Sequence, residues 1–295
     1  MVTKMNDSKK DATRVSFVLG CASLLSMALY LALSLVSEKL SALRAEYLLV
    51  FRTLSLATFV LPAIWGVWKL RRLSVDFPSF PHEASLNKKL AVMLSTFGMI
   101  AIIRILYVSV FPSAMESVGV KAEMTATELF LLYVFSTLAS AAAEEIFFRG
   151  FFLRSMRIFR ASLAVLMSAL AFALMRFSVE SFPLYFVFGL LIGMAYVATN
   201  SLATVIGIGF LSKSFLFLEE TVSVYMPDAY MLLMQGGLAV CVLLSASGLP
   251  YLKENMIAFF ENDDEKAIPS SYFWTAPTIL FIVLAAGIQI FLISH

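Results

Sequence analysis

The chain has 295 residues, of which 60% are hydrophobic and 14% charged, with a formal net charge of +2. Soluble domains carry about 25% charged residues, so the composition excludes an ordinary soluble protein, and the absence of a basic block argues against a nucleic-acid partner. The apolar residues form long runs rather than alternating short segments, which indicates membrane-spanning helices. Cys21 and Cys241 lie within such runs and are interpreted as small hydrophobic side chains.

Taken in chain order, the apolar windows predict an all-α, polytopic transmembrane bundle of about eight to nine spans. The first run follows a polar start and lacks a small-residue cleavage site, so we expect an uncleaved span. We expect one integrated membrane domain, with N-terminal helices (1–126), a core (127–218) and C-terminal helices (219–295). The windows are 15–36, 46–68, 90–112, 127–157, 161–178, 183–199, 202–218, 229–249 and 272–293.

The loop charges predict the orientation of the chain. Lysine and arginine concentrate in cytoplasmic loops, and placing the N-terminus in the cytoplasm leaves only Lys39, Arg44 and Lys121 in the outer loops. The other basic loop residues, such as those of the Lys69-Leu-Arg-Arg72 stretch, then lie inside. We therefore predict a multi-pass integral membrane protein with a cytoplasmic N-terminus, and an acidic cytoplasmic loop at 251–268.

A few ionisable residues remain within the predicted spans. Each costs about 2.5–3.5 kcal/mol at the centre of a bilayer, so each should face the bundle interior and find a partner. Arg52 lies near the end of its span and is expected to reach the outer interface, whereas Arg104 lies deeper and has no partner on its own helix. The full set is Arg52, Arg104, Glu144, Glu145, Arg149, Arg176 and Lys213.

Counting residues from the turns places several of these charges at one depth. Glu144 precedes the turn after the fourth span by about 16 residues and Arg176 follows it by about as many, so at 1.5 Å per residue both lie about 24 Å from the turn. Lys213 is about a dozen residues beyond the next cytoplasmic turn. Glu145 and Arg149 form an i,i+4 pair on one helix face. We expect these five residues to form one polar layer.

The sequence around these carboxylates resembles a known family. Glu144-Glu145-x-x-x-Arg149-Gly150 is similar to the first motif of the CAAX prenyl protease and bacteriocin-processing (CPBP, or ABI) family of intramembrane proteases. The stretch SALAFALMRF (168–177) resembles the family's second motif, Phe-x-x-x-His. Residues 189–210 resemble its glycine-containing helix, short turn and last motif helix. The resemblance covers about residues 127–218 and implies a four-helix core.

In this family, as the resemblance implies, the first glutamate activates a water, and two histidines and an asparagine complete the site. Here Phe172 matches the phenylalanine of the second motif, but Arg176 occupies its histidine position. Gly209 occupies the histidine position of the last motif, and Lys213 its asparagine position (Ser212 under a one-residue shift). The chain's two histidines, His82 and His295, lie in a predicted loop and at the C-terminus.

These substitutions predict a degenerate site. Arginine stays protonated, so it serves neither as a base nor as a metal ligand. We therefore expect Glu144 and Glu145 to be vestigial catalytic residues, held by Arg149, Arg176 and Lys213, with no metal or other cofactor. The expected function is binding or regulation of another membrane protein or a membrane-associated peptide, in contact with lipid.

Two other functions remain open from the sequence. One is an active, glutamate-dependent intramembrane endopeptidase, of the CAAX-type prenyl-protein or bacteriocin-processing kind. The other is a transporter or channel whose charges line a path. The sequence shows no sign of the repeated halves and paired broken helices typical of transporters, which disfavours a transporter or channel.

Overall fold

The computed structural model describes the chain over residues 2–40, 45–73, 75, 84–112, 117–261 and 268–293. Side chains are described over 8–33, 54–73, 75, 84–112, 117–247, 250 and 268–291. Within these ranges the chain forms nine long helices and one short 3₁₀ turn, and no strand.

The helices, numbered here in chain order, follow the apolar runs of the sequence. Over the described residues, six of them are long and apolar enough to cross a membrane, while α5 and α9 are apolar but shorter. The bounds are α1 Val2–Leu40, α2 Ala45–Arg72, α3 Leu86–Val110, α4 Ala126–Met156, α5 Ala161–Leu174, α6 Phe182–Thr199, α7 Leu202–Tyr225, α8 Pro227–Glu261 and α9 Ala276–Ile293, with the 3₁₀ turn at Ser270–Phe273.

Each predicted span overlaps one of these helices, so the all-α polytopic bundle is confirmed. Three helices end at positions that differ from the predicted windows and bear on the site or on the loop at 251–268. The fifth span ends at Leu174 instead of 178, the seventh continues from 218 to Tyr225, and the eighth continues from 249 to Glu261. The predicted loop at 251–268 is therefore helical over its first part, and its residues 262–267 lie outside the described chain.

Glycines allow two pairs of helices to approach closely. A Cβ added at Gly20 of α1 would lie 2.4 Å from the backbone nitrogen of Thr278 in α9, and one at Gly98 of α3 would lie 2.5 Å from the carbonyl oxygen of Cys241 in α8. Neither position has room for a side chain. In lipid, such close packing of backbones replaces the hydrophobic driving force that is missing between helices.

Helices α4 to α7 form the four-helix core. This core, with the turn after α5, carries the charges that the sequence predicts at one depth. The hairpin of α5 and α6 is tightly packed, because a Cβ added at Gly189 would lie 2.7 Å from the Cα atom of Ala169. Aromatic side chains of α4, including Phe147 and Phe151, are fully buried against the surrounding helices. Helix α2 approaches the same region, where Gly66 lies against the ring of Phe151.

The end of α5 differs from the expectation in a way that matters for the site. Arg176 was predicted on a helix, but it lies in the turn after Leu174. The chain leaves the helix because Phe177 adopts a left-handed backbone conformation, with φ of 50°. Gln289 of α9, which is buried, donates to the carbonyl oxygen of Leu174 at 3.1 Å and so satisfies part of this helix end.

The segment that connects α3 to α4 is fixed to α7 by one carboxylate. Glu220 accepts hydrogen bonds from the Ser117 hydroxyl at 2.7 Å, from the Gly119 and Val120 amides at 3.0 Å each, and from the Val118 amide. Gly119 has φ of 93°, a conformation that glycine adopts most easily. The carboxylate thereby satisfies three successive backbone amides at once.

The Gly98 contact gives a stability prediction. Replacing Gly98 with alanine forces α3 away from α8, which should destabilise the protein by about 1–3 kcal/mol, the usual cost of overpacking. Thermal unfolding of the purified protein in detergent, followed by circular dichroism, measures the change. The matched control is Gly287→Ala in α9, where an added Cβ meets no atom within 4 Å. We expect that control to leave the melting temperature unchanged or raise it, since alanine favours helix. Equal losses in both variants would contradict the prediction.

Candidate functional site

The two adjacent carboxylates lie in an α-helical stretch, Ser140–Glu145, between two π-helical stretches of α4. These are Phe135–Ala139 and Ile146–Leu153. A π-helical turn leaves backbone groups that α-helical hydrogen bonds would otherwise satisfy, and such turns often occur at functional sites. The hydroxyl of Ser168 in α5 bonds to one of these groups, the carbonyl oxygen of Phe148, at 3.0 Å.

Both oxygens of Glu144 are occupied by cations from other elements. Arg176 Nη2 donates to Glu144 Oε2 at 2.8 Å, and Lys213 Nζ donates to Glu144 Oε1 at 3.0 Å. Lys213 also donates to the Ser140 hydroxyl at 3.0 Å, which itself lies 3.3 Å from Glu144 Oε1. The charges that depth counting placed at one level are therefore in direct contact, with the carboxylate at their centre.

Glu145 points to a different partner, on its own helix. Arg149 Nη1 donates to Glu145 Oε1 at 3.0 Å, and Arg149 Nη2 donates to the carbonyl oxygen of Gly189 at 3.2 Å. The arginine is fully buried and the glutamate is 2% exposed. Glu145 Oε2 and Arg149 Nε have no hydrogen-bond partner among the described residues, so this pair is only partly satisfied.

The ring of Phe172 connects the two ion pairs. The guanidinium carbons of Arg149 and Arg176 each lie 4.8 Å from its centre, and Arg176 lies 4.3 Å from the ring of Tyr185. Aromatic faces attract cations, and the effect strengthens when the pair is removed from water. Phe172 therefore stabilises two arginines: Arg149, which belongs to the first motif, and Arg176, which stands at the expected histidine position of the second.

Gly209 occupies the position at which the resemblance leads us to expect the histidine of the last motif. A Cβ added there would lie 3.3 Å from the Cβ of Ala141 and 3.7 Å from the Cγ of Glu145. A histidine at this position would thus begin its side chain directly against the carboxylate turn of α4. Arg176, Gly209 and Lys213, the positions at which the sequence departs from the resemblance, thus all lie beside Glu144 or Glu145.

A cavity of about 60 Å³ adjoins the carboxylates. A cavity needs about 10–15 Å³ to hold one water molecule, so this one has room for water. Helices α3 to α7 all contribute to its walls, which are partly polar and partly apolar. The lining residues that carry charge or a hydroxyl are Arg104, Glu144, Glu145, Arg176, Tyr185, Ser212 and Lys213, and the apolar ones include Ile100, Phe188, Ile192, Phe215 and Leu216.

A further buried ion pair lies beside this cavity and was missed from the sequence. Arg104 Nη2 donates to Glu219 Oε2 at 2.8 Å, and the Tyr230 hydroxyl donates to Glu219 Oε1 at 3.2 Å. Glu219 and Glu220 were not expected within the bundle because the seventh span was ended at 218. The sign available in the sequence was Arg104 itself, a deep arginine with no partner on its own helix. The end of α7 at Tyr225, six residues beyond Glu219, came from the structure.

The arrangement limits what the site can do chemically. Glu144 is positioned to accept hydrogen bonds but carries two cations already, and Arg176 and Lys213 offer donors instead of the neutral imidazole and amide of the motif. Within the described ranges, no three His, Cys, Asp or Glu side chains come together in a group that would hold a metal ion. The Arg52 side chain, His82 and His295 lie outside the described residues.

The contacts of Glu144 give a prediction about stability. Arg176→Gln should destabilise the protein by about 1–3 kcal/mol, less than the ~3–5 kcal/mol of a fully buried pair, because Lys213 still contacts the carboxylate. Adding Glu144→Gln to this variant should cost less than Glu144→Gln does in the wild type, because the contact with Arg176 is already lost. Chemical or thermal unfolding in detergent measures both changes.

Arg14→Gln is the control for general loss of a cation. Its ion pair with Asp11 is 37% and 29% exposed, so its loss should cost less than about 1 kcal/mol. If Glu144→Gln adds its full cost to that of Arg176→Gln, the two residues do not interact as the structure indicates.

A family of known proteins matches the part of the chain that holds this site. No curated protein and no solved structure matches the chain. One family model matches a segment that runs from the start of α4 into α7. This segment includes every residue of the Glu144 and Glu145 cluster. Residues 126–215 match the family model of Rce1-like, type II CAAX prenyl endopeptidases, which confirms over this segment the CPBP resemblance predicted from the sequence.

Proposed function

We propose that this membrane protein is a catalytically degenerate relative of the CPBP intramembrane proteases, and that it acts by binding another membrane protein. The observation that carries the proposal is the pair of cations, Arg176 and Lys213, that hold both oxygens of Glu144. The core from α4 to α7 would retain the shape of a protease site and use it for recognition or regulation.

The physical argument concerns the general base. A glutamate that activates water needs an oxygen free to accept the water's proton, together with a tendency to become protonated. Arg176 and Lys213 occupy both oxygens and stabilise the charged carboxylate, which opposes proton uptake. The residues at the two histidine positions of the motif, Arg176 and Gly209, supply no lone pair that could replace it.

An active, glutamate-dependent endopeptidase is the second candidate, and one observation favours it. The cavity beside the carboxylates has room for water, and Glu145 Oε2 accepts no hydrogen bond from the described residues. Glu145 could then act on a water with Arg149 as its charge partner. Such an enzyme would cleave a peptide or a prenylated chain end at the level of the cavity.

A peptidase assay separates the two candidates. We expect the purified wild-type protein, in detergent or liposomes, to cleave a prenylated CAAX peptide no faster than the Glu144→Gln and Glu145→Gln variants. The reason is that neither carboxylate has the motif's partners. Mass spectrometry of the peptide measures the product, and an active CAAX endopeptidase assayed in parallel controls for the substrate.

If the wild type cleaves the peptide, and Glu145→Gln abolishes cleavage while preserving the melting temperature, the result favours the enzyme.

A separate crosslinking experiment measures binding. A photo-crosslinking residue at Leu216, which lines the cavity, should capture a second membrane protein in native membranes, whereas one at the lipid-exposed Leu280 of α9 should not. Equal labelling from both positions would contradict a specific partner at the cavity.

We also propose that the N-terminus lies in the cytoplasm, on the basis of the loop charges. In a variant without Cys21 and Cys241, a cysteine at Ser8 should be protected from a membrane-impermeant maleimide in intact cells. A cysteine at Ala122, between α3 and α4, should react because an odd number of crossings separates the two positions. Permeabilised cells serve as the control, and the reverse labelling pattern would overturn the orientation.

A further inference from the structure

Helix α8 is the least covered of the apolar spans. Within the most apolar 18-residue stretch of its segment Pro227–Ser247, 6% is buried inside the protein. The corresponding stretches of the other five spans are 22–50% buried. One side of the helix packs on α3, where Cys241 is buried. The opposite side faces outward, and its large side chains Leu232 and Leu243 are 74% and 73% exposed. An apolar surface of this kind is ordinarily satisfied by lipid.

One polar residue breaks this surface. Gln235 is exposed, and its amide has no hydrogen bond to any described residue. It is the ninth residue of the Pro227–Ser247 segment, so at 1.5 Å per residue it lies about 12 Å from one end and about 18 Å from the other. That depth is inside the hydrocarbon core, which is about 30 Å thick. Lipid tails offer the amide no donor and no acceptor.

The residues around Gln235 leave space for another helix. Leu232, Gln235, Gly236, Ala239 and Leu243 recur at i, i+3, i+4, i+7 and i+11, so they share one face of α8, and all five are exposed. A Cβ added at Gly236 meets no atom within 4 Å. A helix that packed on this face could therefore approach closely at Gly236 and bring a polar group to Gln235.

From the exposed amide of Gln235 and the open space at Gly236, we propose that the Gln235 face of α8 binds the same face of a second copy of this chain. The two copies form a twofold-symmetric dimer in the membrane. A carboxamide carries both donors and an acceptor, so two copies of Gln235 across a twofold axis satisfy each other. Each amide N–H donates to the carbonyl oxygen of its partner. The axis runs along the membrane normal because both copies have one orientation, and in such an isologous interface a residue near the axis meets its own copy.

A second copy is the occupant that the face itself favours. A partner with a charged group opposite Gln235 would carry an additional cost of several kcal/mol in the bilayer. The charge that the Pro227–Ser247 segment of α8 presents on this face, Asp228, lies in the first turn of the helix, about 10 Å from the depth of Gln235, and does not offset that cost. The close approach at Gly236 and the self-complementary amide need no residue that this chain lacks. The dimer surface lies on α8, which places it apart from the ion pairs of α4, α5 and α7, so it is independent of the proposed function.

Energy transfer between labelled chains tests the proposal. The full-length chain, labelled at its N-terminus with donor or acceptor, is reconstituted in phosphatidylcholine liposomes at decreasing protein-to-lipid ratios. We expect transfer above the level of random proximity for the wild type. Gln235→Leu should lower the association constant about three- to tenfold, the range expected for losing interhelical hydrogen bonds in a membrane, and Gln235→Asn should retain part of it.

Gly236→Leu and Gly287→Leu form a matched pair. Both positions are exposed on apolar helices and have open space around an added Cβ, so neither substitution should affect folding, which the melting temperature checks. Gly236→Leu should weaken association at least as much as Gln235→Leu, whereas Gly287→Leu on α9 should leave it unchanged. Transfer by the wild type at the random level, or equal effects of the two leucine variants, would overturn the proposal. A dimer that Gln235→Leu leaves intact would overturn it as well.

Discussion

The carboxylate of Glu144 must be neutralised before α4 can lie within the bundle, and the contacts that neutralise it join three separate elements. Arg176 approaches from the turn after α5, and Lys213 approaches from α7. A charge buried without partners costs several kcal/mol, which is a large share of the stability of an ordinary protein. The position of the α5 turn and the rotation of α7 are therefore both constrained by one side chain of α4.

The same neutralisation decides the chemistry of the site. A cation on each oxygen holds the carboxylate in its charged, hydrogen-bonded form, which suits a structural role and opposes that of a general base. Gly209 removes the side chain that the motif would place against Glu145, and the cavity of about 60 Å³ lies beside that position. The site therefore combines two neutralised carboxylates with an adjoining cavity, the combination on which the proposed binding role rests.

Further polar contacts extend this arrangement along α7. Glu219 pairs with Arg104 of α3 and Tyr230 of α8, while Glu220 accepts the amides of the segment before α4. Lys213, Glu219 and Glu220 thus connect α7 to nearly every neighbour of the core. Hydrogen bonds and ion pairs are effective connections here because apolar side chains gain little by exchanging lipid for one another. By contrast, α8 beyond Tyr230 makes few such contacts, and Gln235 has no hydrogen bond within the described chain.

The amino-acid sequence determined the class of the fold and the content of the site. Long apolar runs require helices in a membrane, since only helices and closed barrels satisfy their backbone there, and the fixed rise of a helix was enough to place Glu144, Arg176 and Lys213 at one depth. The family motif followed from the spacing of Glu144, Glu145 and Arg149. The tertiary structure alone decided which helix faces meet. It ended α5 before Arg176, extended α7 to bury Glu219 against Arg104, and set Gly209 against Glu145. Depth along a helix is fixed by counting residues, whereas its rotation and its ends depend on partners that are distant in the chain.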